Sequence, residues 1–250
     1  MKTKIIGIML SIAMMASATG QILQNQSTGP NKVYIEQVGN TNTVTLDQIG
    51  GTNSIGGIAS ITASNINYAT LTGNNNVVAM LQLGDNNLGQ YDIKGNNNVY
   101  NSNVTGNGNK TKLTVGDTNN ASNLRNTINE TITGNDNTII QNLIGNDIQS
   151  TLVVTGNTNE ITKDLKSSRG VSDININGGN NKIDIEQVDS AGANGHVLTE
   201  VIVGSYNTVL TQQQGSNDTT VDAKVTGDHN TITVRTSSST ISNSRTASAR

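Results

Sequence analysis

Residues 73–109 read GNNNVVAMLQL-GDNNLGQYDIK-GNNNVYNSNVT-GNGN, units of eleven residues opening at Gly73, Gly84, Gly95 and Gly106. Each unit begins Gly-x-x-Asn. Glycine reaches positive φ without steric cost, and Asn tolerates left-handed backbone better than most side chains, so each quartet reads as a tight turn. The seven residues between quartets alternate. The sixth, fourth and second residues before the next glycine are mostly aliphatic or Tyr (Val78 and Met80; Tyr91 and Ile93; Tyr100 and Val104), and the third is mostly polar, as at Asp92 and Asn103. Successive strand residues point to opposite faces, so one face is apolar and the other hydrated. This is the pattern of a half-buried strand with no helical period.

The unit extends in both directions. Gly-x-x-Asn also starts at Gly39, Gly50, Gly116, Gly134, Gly156, Gly178, Gly204 and Gly227, and imperfect copies fall in register at Gly145 and Gly215. The apolar slot continues through Val33, Val44, Ile128, Ile139, Ile183, Leu198, Val209 and Val221. The steps Gly50 to Gly73 and Gly156 to Gly178 are each about two units long and predict one degenerate turn apiece, the second at Ser167-Ser168-Arg169-Gly170. The longer steps, around 117–133 and 189–203, predict insertions into single arms, with Asp189 standing where a turn glycine is expected.

Seven strand residues and a four-residue turn make one arm. Two arms facing each other, apolar sides inward, make a rung of about 22 residues, and neither arm buries its face alone, so rungs must stack. The expected fold class is therefore all-β: a β-solenoid of stacked strand-turn-strand rungs, two arms each, over residues 32–235.

The flanks differ. Residues 1–20 have a basic start (Lys2, Lys4), a short apolar run (Ile5 to Met15) and small residues at Ala16-Ser17-Ala18 and Ala18-Thr19-Gly20. That is the layout of a secretory signal peptide, and the run is too short to span a bilayer. The expectation is a secreted chain with no membrane span after removal of the leader. Residues 21–31 form a polar segment containing Pro30, and 236–250 a polar Ser/Thr-rich tail. Neither resembles an apolar capping helix, so the ends of the solenoid are expected to stay open to another copy.

Composition narrows the function. The chain has no Cys, Trp or Phe and only five Tyr, so no disulfide holds it together and a conventional globular core would be poorly filled with aromatic rings. A net charge of −3 with both signs scattered supplies no basic patch for nucleic acid. Asp and Glu read as scattered along outward slots with no recurrent pair, and His196 and His229 read as surface or turn residues, so no catalytic group is expected. The turns are rich in Asn, and isolated Asp85, Asp117, Asp136 and Asp228 do not make a regular calcium array, so no metal or cofactor is expected. Thr-x-Thr triplets occur at Thr43, Thr131 and Thr231; the first and third share a slot but lie at opposite ends of the repeat region and the second falls in another slot, so no regular ice-binding array results.

The stretch Gln37-Val38-Gly39-Asn40-Thr41-Asn42 is followed after five residues by Gln48-Ile49-Gly50-Gly51-Thr52-Asn53, and Gln82-Leu83-Gly84-Asp85-Asn86-Asn87 repeats it. This resembles the curlin repeat, the unit of bacterial curli fibres. Gln187-Val188-Asp189 keeps the Gln, Gln213-Gln214-Gly215 keeps Gln and Gly, and elsewhere an aliphatic residue mostly takes the Gln slot. The resemblance implies a non-enzymatic subunit of an extracellular functional amyloid in the biofilm matrix. Its implied partners are further copies of itself, a nucleator or related fibre subunit, and an outer-membrane secretion channel. Side-chain amides stacked one rung apart can hydrogen-bond along the axis in ladders. The candidate ladder residues are Gln37, Gln48, Gln82, Gln187 and Gln213, with Asn42, Asn53, Asn76, Asn87, Asn98 and Asn109 at the turns. A secreted β-solenoid adhesin that does not polymerise shares every repeat feature.

Overall fold

In the computed structural model, residues 10–14, 21–26, 31–56, 58–59, 66–116, 125–166, 170–188, 197–214, 220–236 and 242–248 are described. They form a β-solenoid of two parallel sheets that the chain visits alternately. Sheet 1 contains, among others, Lys32–Val38, Leu88–Lys94, Lys110–Val115, Thr138–Ile144, Glu160–Lys166, Lys182–Val188 and Thr208–Gln214. Sheet 2 contains Thr43–Ile49, Val77–Leu83, Val99–Thr105, Thr127–Thr133, Gln149–Thr155, Val171–Asn177, Val197–Val203 and Thr220–Thr226. Pairing is in register along both stacks: Val99 lies between Val77 and Thr127, and Thr138 between Lys110 and Glu160. A one-residue slip would exchange the apolar and polar faces of an arm, so the alternation itself holds this register.

The inward slots fill the space between the sheets. Val44, Leu46, Val78, Tyr100, Ile128, Ile139, Ile161, Ile183 and Val209 are all buried there. Each large aliphatic side chain contributes about 1.5–3 kcal/mol through burial, and with the buried rings of Tyr91 and Tyr100 these sustain a core without Phe or Trp.

The stack runs past the repeat limits read from the sequence. Leu10–Met14 pairs with Lys32–Val38, Gln21–Gln26 with Thr43–Ile49, and Ser242–Ser248 with Thr220–Thr226. The leader's basic start and cleavage sites, Pro30, residues 167–169, Asp189, His196 and Gly215 lie outside the described residues.

The step from Gly50 to Gly73 is one arm and not two. Ser54–Ile55 and Ala69–Thr72 both lie between Lys32–Val38 and Leu88–Lys94 as two pieces of a single strand. The chain leaves the arm at Gly56, where φ is +69° and a Cβ would sit 2.3 Å from the Tyr34 carbonyl oxygen. A short antiparallel pair, Ile58–Ala59 with Ile66–Asn67, belongs to the excursion. An insertion of about one unit's length mimics a degenerate unit in the sequence. The step from Gly156 to Gly178 does hold two arms, Glu160–Lys166 and Val171–Asn177.

The two outward faces differ in charge. On sheet 1, Lys32, Glu36, Asp92, Lys94, Lys110, Lys112, Glu160, Lys166, Lys182 and Glu186 recur along the stack, and Lys94–Asp92 and Lys182–Glu160 form ion pairs. The outward slots of the sheet 2 arms above are Thr, Asn, Val and Leu for most of their length, with only Asp47, Asp173, Asp222 and Lys224 charged.

Candidate functional site

The turns that return from sheet 2 to sheet 1 keep Gly-x-x-Asn from Gly50 to Gly227. Their Asn side chains form one ladder: Asn31, Asn53, Asn87, Asn109, Asn137, Asn159, Asn181, Asn207 and Asn230. At each step the backbone N–H of one Asn donates to Oδ1 of the Asn one rung earlier, at 2.9–3.1 Å. From Asn31 to Asn207, Nδ2 also donates to the carbonyl of the glycine one rung later, as from Asn109 to Gly134 at 2.8 Å and from Asn137 to Gly156 at 2.8 Å. Each Asn thereby satisfies backbone groups that the turn would otherwise bury unpaired.

The glycines make this spacing possible. A Cβ on Gly106 would fall 1.9 Å from the Gly134 carbonyl oxygen, and φ there is +125°. Gly134 repeats the relation with Gly156. The third turn residue adopts left-handed backbone, at Thr52, Asn86, Asp136, Thr158, Asn180, Tyr206 and His229 among others, which explains the frequency of Asn and Asp there. His229 is exposed in its turn and stacks on Tyr206.

The opposite edge is less regular. Asn42, Asn76, Asn98 and Asn126 ladder in the same way, and the ladder then passes to Ile148, whose N–H donates to Asn126 Oδ1 at 2.8 Å. Residues 117–124 and 189–196, which connect a sheet 1 arm to a sheet 2 arm at this edge, lie outside the described residues. All six Asn residues nominated from the sequence are buried in one ladder or the other. Asn126 was not among them, because the insertion separates it from its turn glycine.

Two further ladders, one on each edge, at the residue after the glycine, were also missed. Asn40 N–H donates to Asn74 Oδ1, Asn74 to Asn96, Asp85 to Asn107, Asn107 to Asn135 and Asn135 to Asn157, at 2.7–2.8 Å. The recurrence of Asn and Asp after the glycine was their sequence signal.

The structure separates the five glutamines. Gln48 and Gln82 are neighbours in sheet 2 and both buried, and Gln48 Nε2 donates to Gln82 Oε1 at 2.8 Å. Gln187 and Gln213 are backbone neighbours in sheet 1. Gln37 has Leu71 as its register neighbour, and its buried Oε1 has no hydrogen-bond donor among the described residues. There are thus two Gln pairs and one separate Gln in place of a continuous Gln ladder. The twelve turn glycines Gly39, Gly50, Gly73, Gly84, Gly95, Gly106, Gly116, Gly134, Gly156, Gly178, Gly204 and Gly227 all adopt positive φ.

The reading of carboxylates as outward residues is corrected by a polar column in the core. Glu130, Gln141, Lys163, Glu200 and Thr211 occupy inward slots and are buried. Glu130 accepts hydrogen bonds from Ser102 at 2.8 Å, Tyr100 at 3.3 Å and Gln141 Nε2 at 2.9 Å. Ser150 Oγ donates to Gln141 Oε1 at 3.4 Å and accepts from Lys163 Nζ at 2.6 Å. Thr211 donates to Glu200, whose Oε2 has no donor among the described residues. Burial pushes the Lys163 ammonium down to about 7 against the pull of Asp173, Glu200 and Glu130. Burial likewise pushes Glu200 up to about 7, opposed by the Thr211 hydrogen bond and the Lys163 charge, and raises Glu130. Glu130 and Glu200 fall in the fourth slot before their glycines, the slot Leu46 and Met80 fill elsewhere, so position and not residue type carried the signal.

No group of three or more His, Cys, Asp or Glu positioned to hold a metal ion occurs among the described residues. Comparison with protein-family models, curated proteins and solved structures gives no match.

Proposed function

We propose that this chain is a structural subunit of an extracellular curli-like amyloid fibre that grows by end-to-end stacking of β-solenoid rungs. The observation that carries the proposal is the continuity of two parallel, in-register sheets, joined rung to rung by Asn ladders, that end in edge strands. An edge strand presents unpaired N–H and C=O groups that a second copy can extend. The repeated turns put the same donors and acceptors on each rung, so an end-to-end junction can reuse the pairing found inside the chain. In the matrix of a biofilm such a fibre supplies mechanical continuity and adhesion. The partners are other copies of the chain, with a nucleating subunit and an outer-membrane channel following from the curlin-like repeat.

One observation favours a secreted adhesin that does not polymerise. In Ser242–Ser248, Asn243, Arg245 and Ala247 hold the register positions of Val221, Ala223 and Val225. Asn, Arg and Ala at three successive core register positions offer little apolar surface for a further rung to cover, as in a terminal rung. A seeding assay separates the two readings. Preformed fibres added to fresh protein abolish the lag in thioflavin fluorescence if ends recruit new copies. Thioflavin-negative protein that stays soluble with seeds supports the adhesin.

A further inference from the structure

The outward face of sheet 2 carries far less charge than the outward face of sheet 1. Ile49, Val77, Leu83 and Val203 stand on it at 36–40% exposure, with Leu81, Val153 and Val201 half-buried between them. Threonine and asparagine fill most other positions. A shallow depression of about 330 Å³ lies on the same face, with Asp47 as its one outward charge among Thr45, Ala79, Leu81, Asn103 and Thr131. The sheet 1 face, in contrast, carries the alternating Lys, Glu and Asp residues described above. Charge of that kind keeps a sheet face in water, and its near-absence over a whole face marks an interaction surface.

We infer that the sheet 2 face is a lateral interface for a second copy of this chain, packed face to face, so that the fibre is built from paired solenoids. The inference rests on the fibre-subunit reading and adds the side on which solenoids meet. Area argues for a second copy. The eight sheet 2 arms from Thr43–Ile49 to Thr220–Thr226, at about 4.8 Å spacing and about 23 Å width, present about 900 Å². Two such faces bury about 1,800 Å², the size of a standard stable interface. Charge agrees: two largely neutral faces meet without the repulsion or desolvation that the sheet 1 face would impose. Both faces repeat at the rung spacing, so side-chain rows of one copy can lie between rows of the other, as in paired cross-β sheets.

Sedimentation equilibrium on fresh, non-fibrillar protein tests this independently of fibre growth. The variant pair Leu81→Lys with Val153→Lys places cations in the outward column that Lys224 already occupies, beside Asp47, Asn103, Thr131 and Asn175 and next to no other cation, so the fold tolerates it. Ile140→Lys on sheet 1 is the control. The wild type and the control are expected to dimerise, and the sheet 2 variant to dimerise at least tenfold more weakly. A wild type that remains monomeric at about 100 µM, or dimers that the sheet 2 substitutions leave intact, would overturn the lateral interface whether or not fibres form later.

Discussion

Asn137 places both its backbone N–H and its Nδ2 on Oδ1 of Asn109, at 3.1 and 3.0 Å, in a site closed to solvent. Asn137 Oδ1 then accepts the backbone N–H of Asn159. Asn137→Ala would leave that N–H and the Gly156 carbonyl without these partners. Each buried unpaired group costs about 1–3 kcal/mol, so a loss of about 2–5 kcal/mol is expected in urea unfolding. Asn101→Ala, which removes an exposed amide contact to Asn129, is expected to change stability by less than about 1 kcal/mol.

The glycine contacts give a sharper contrast. Gly106→Ala inserts a Cβ against the Gly134 carbonyl and also demands positive φ from alanine. It is expected to cost at least about 3 kcal/mol or to prevent folding. At Gly51 the nearest atom to an added Cβ is Asp85 Oδ1 at 3.3 Å, the far end of a side chain. Gly51→Ala is expected to stay within about 1 kcal/mol of wild type. Circular dichroism during thermal unfolding checks both.

Glu200 gives the fold a pH dependence. Its folded pKa of about 7 lies above the unfolded value of 4.5, so the folded state binds more protons between those values. The stability it contributes is full below pH 4.5 and is lost as pH rises through about 7. Glu200→Gln keeps an acceptor for Thr211 and removes the titration. The variant is expected to be more stable than wild type above pH 7 by about 2–4 kcal/mol, with the difference closing toward pH 4.5. Parallel stability profiles for the two proteins would refute this assignment.

Gln48 and Gln82 should be energetically coupled. A double-mutant cycle with Gln48→Leu and Gln82→Leu is expected to give about 1 kcal/mol of interaction energy, and the double variant should be less destabilised than the two single changes summed.

The rung was legible because its signals are local. Gly-x-x-Asn sets the turn within four residues, and period-two alternation sets the inward face within seven. The six nominated Asn residues follow from that spacing alone. Asn126 was hidden because the ladder is defined by stacking and an insertion displaced it from Gly116. Ser54–Ile55 and Ala69–Thr72 were read apart because an insertion of nearly one unit keeps the repeat phase. Glu130 and Glu200 were placed outside by residue type, although their slot marked them as inward. Burial among Ser102, Tyr100, Gln141, Ser150, Lys163 and Thr211 supplies the hydrogen bonds that make those positions tolerable, and those partners come from neighbouring rungs.

Negative-stain electron microscopy with fibre diffraction on residues 21–250, diluted from denaturant, tests the central claim most directly. Stacking of rungs end to end predicts unbranched fibres with a meridional reflection near about 4.7–4.8 Å, the strand spacing. Discrete, monodisperse particles under the same conditions would contradict it and place the chain among solenoids whose ends are closed.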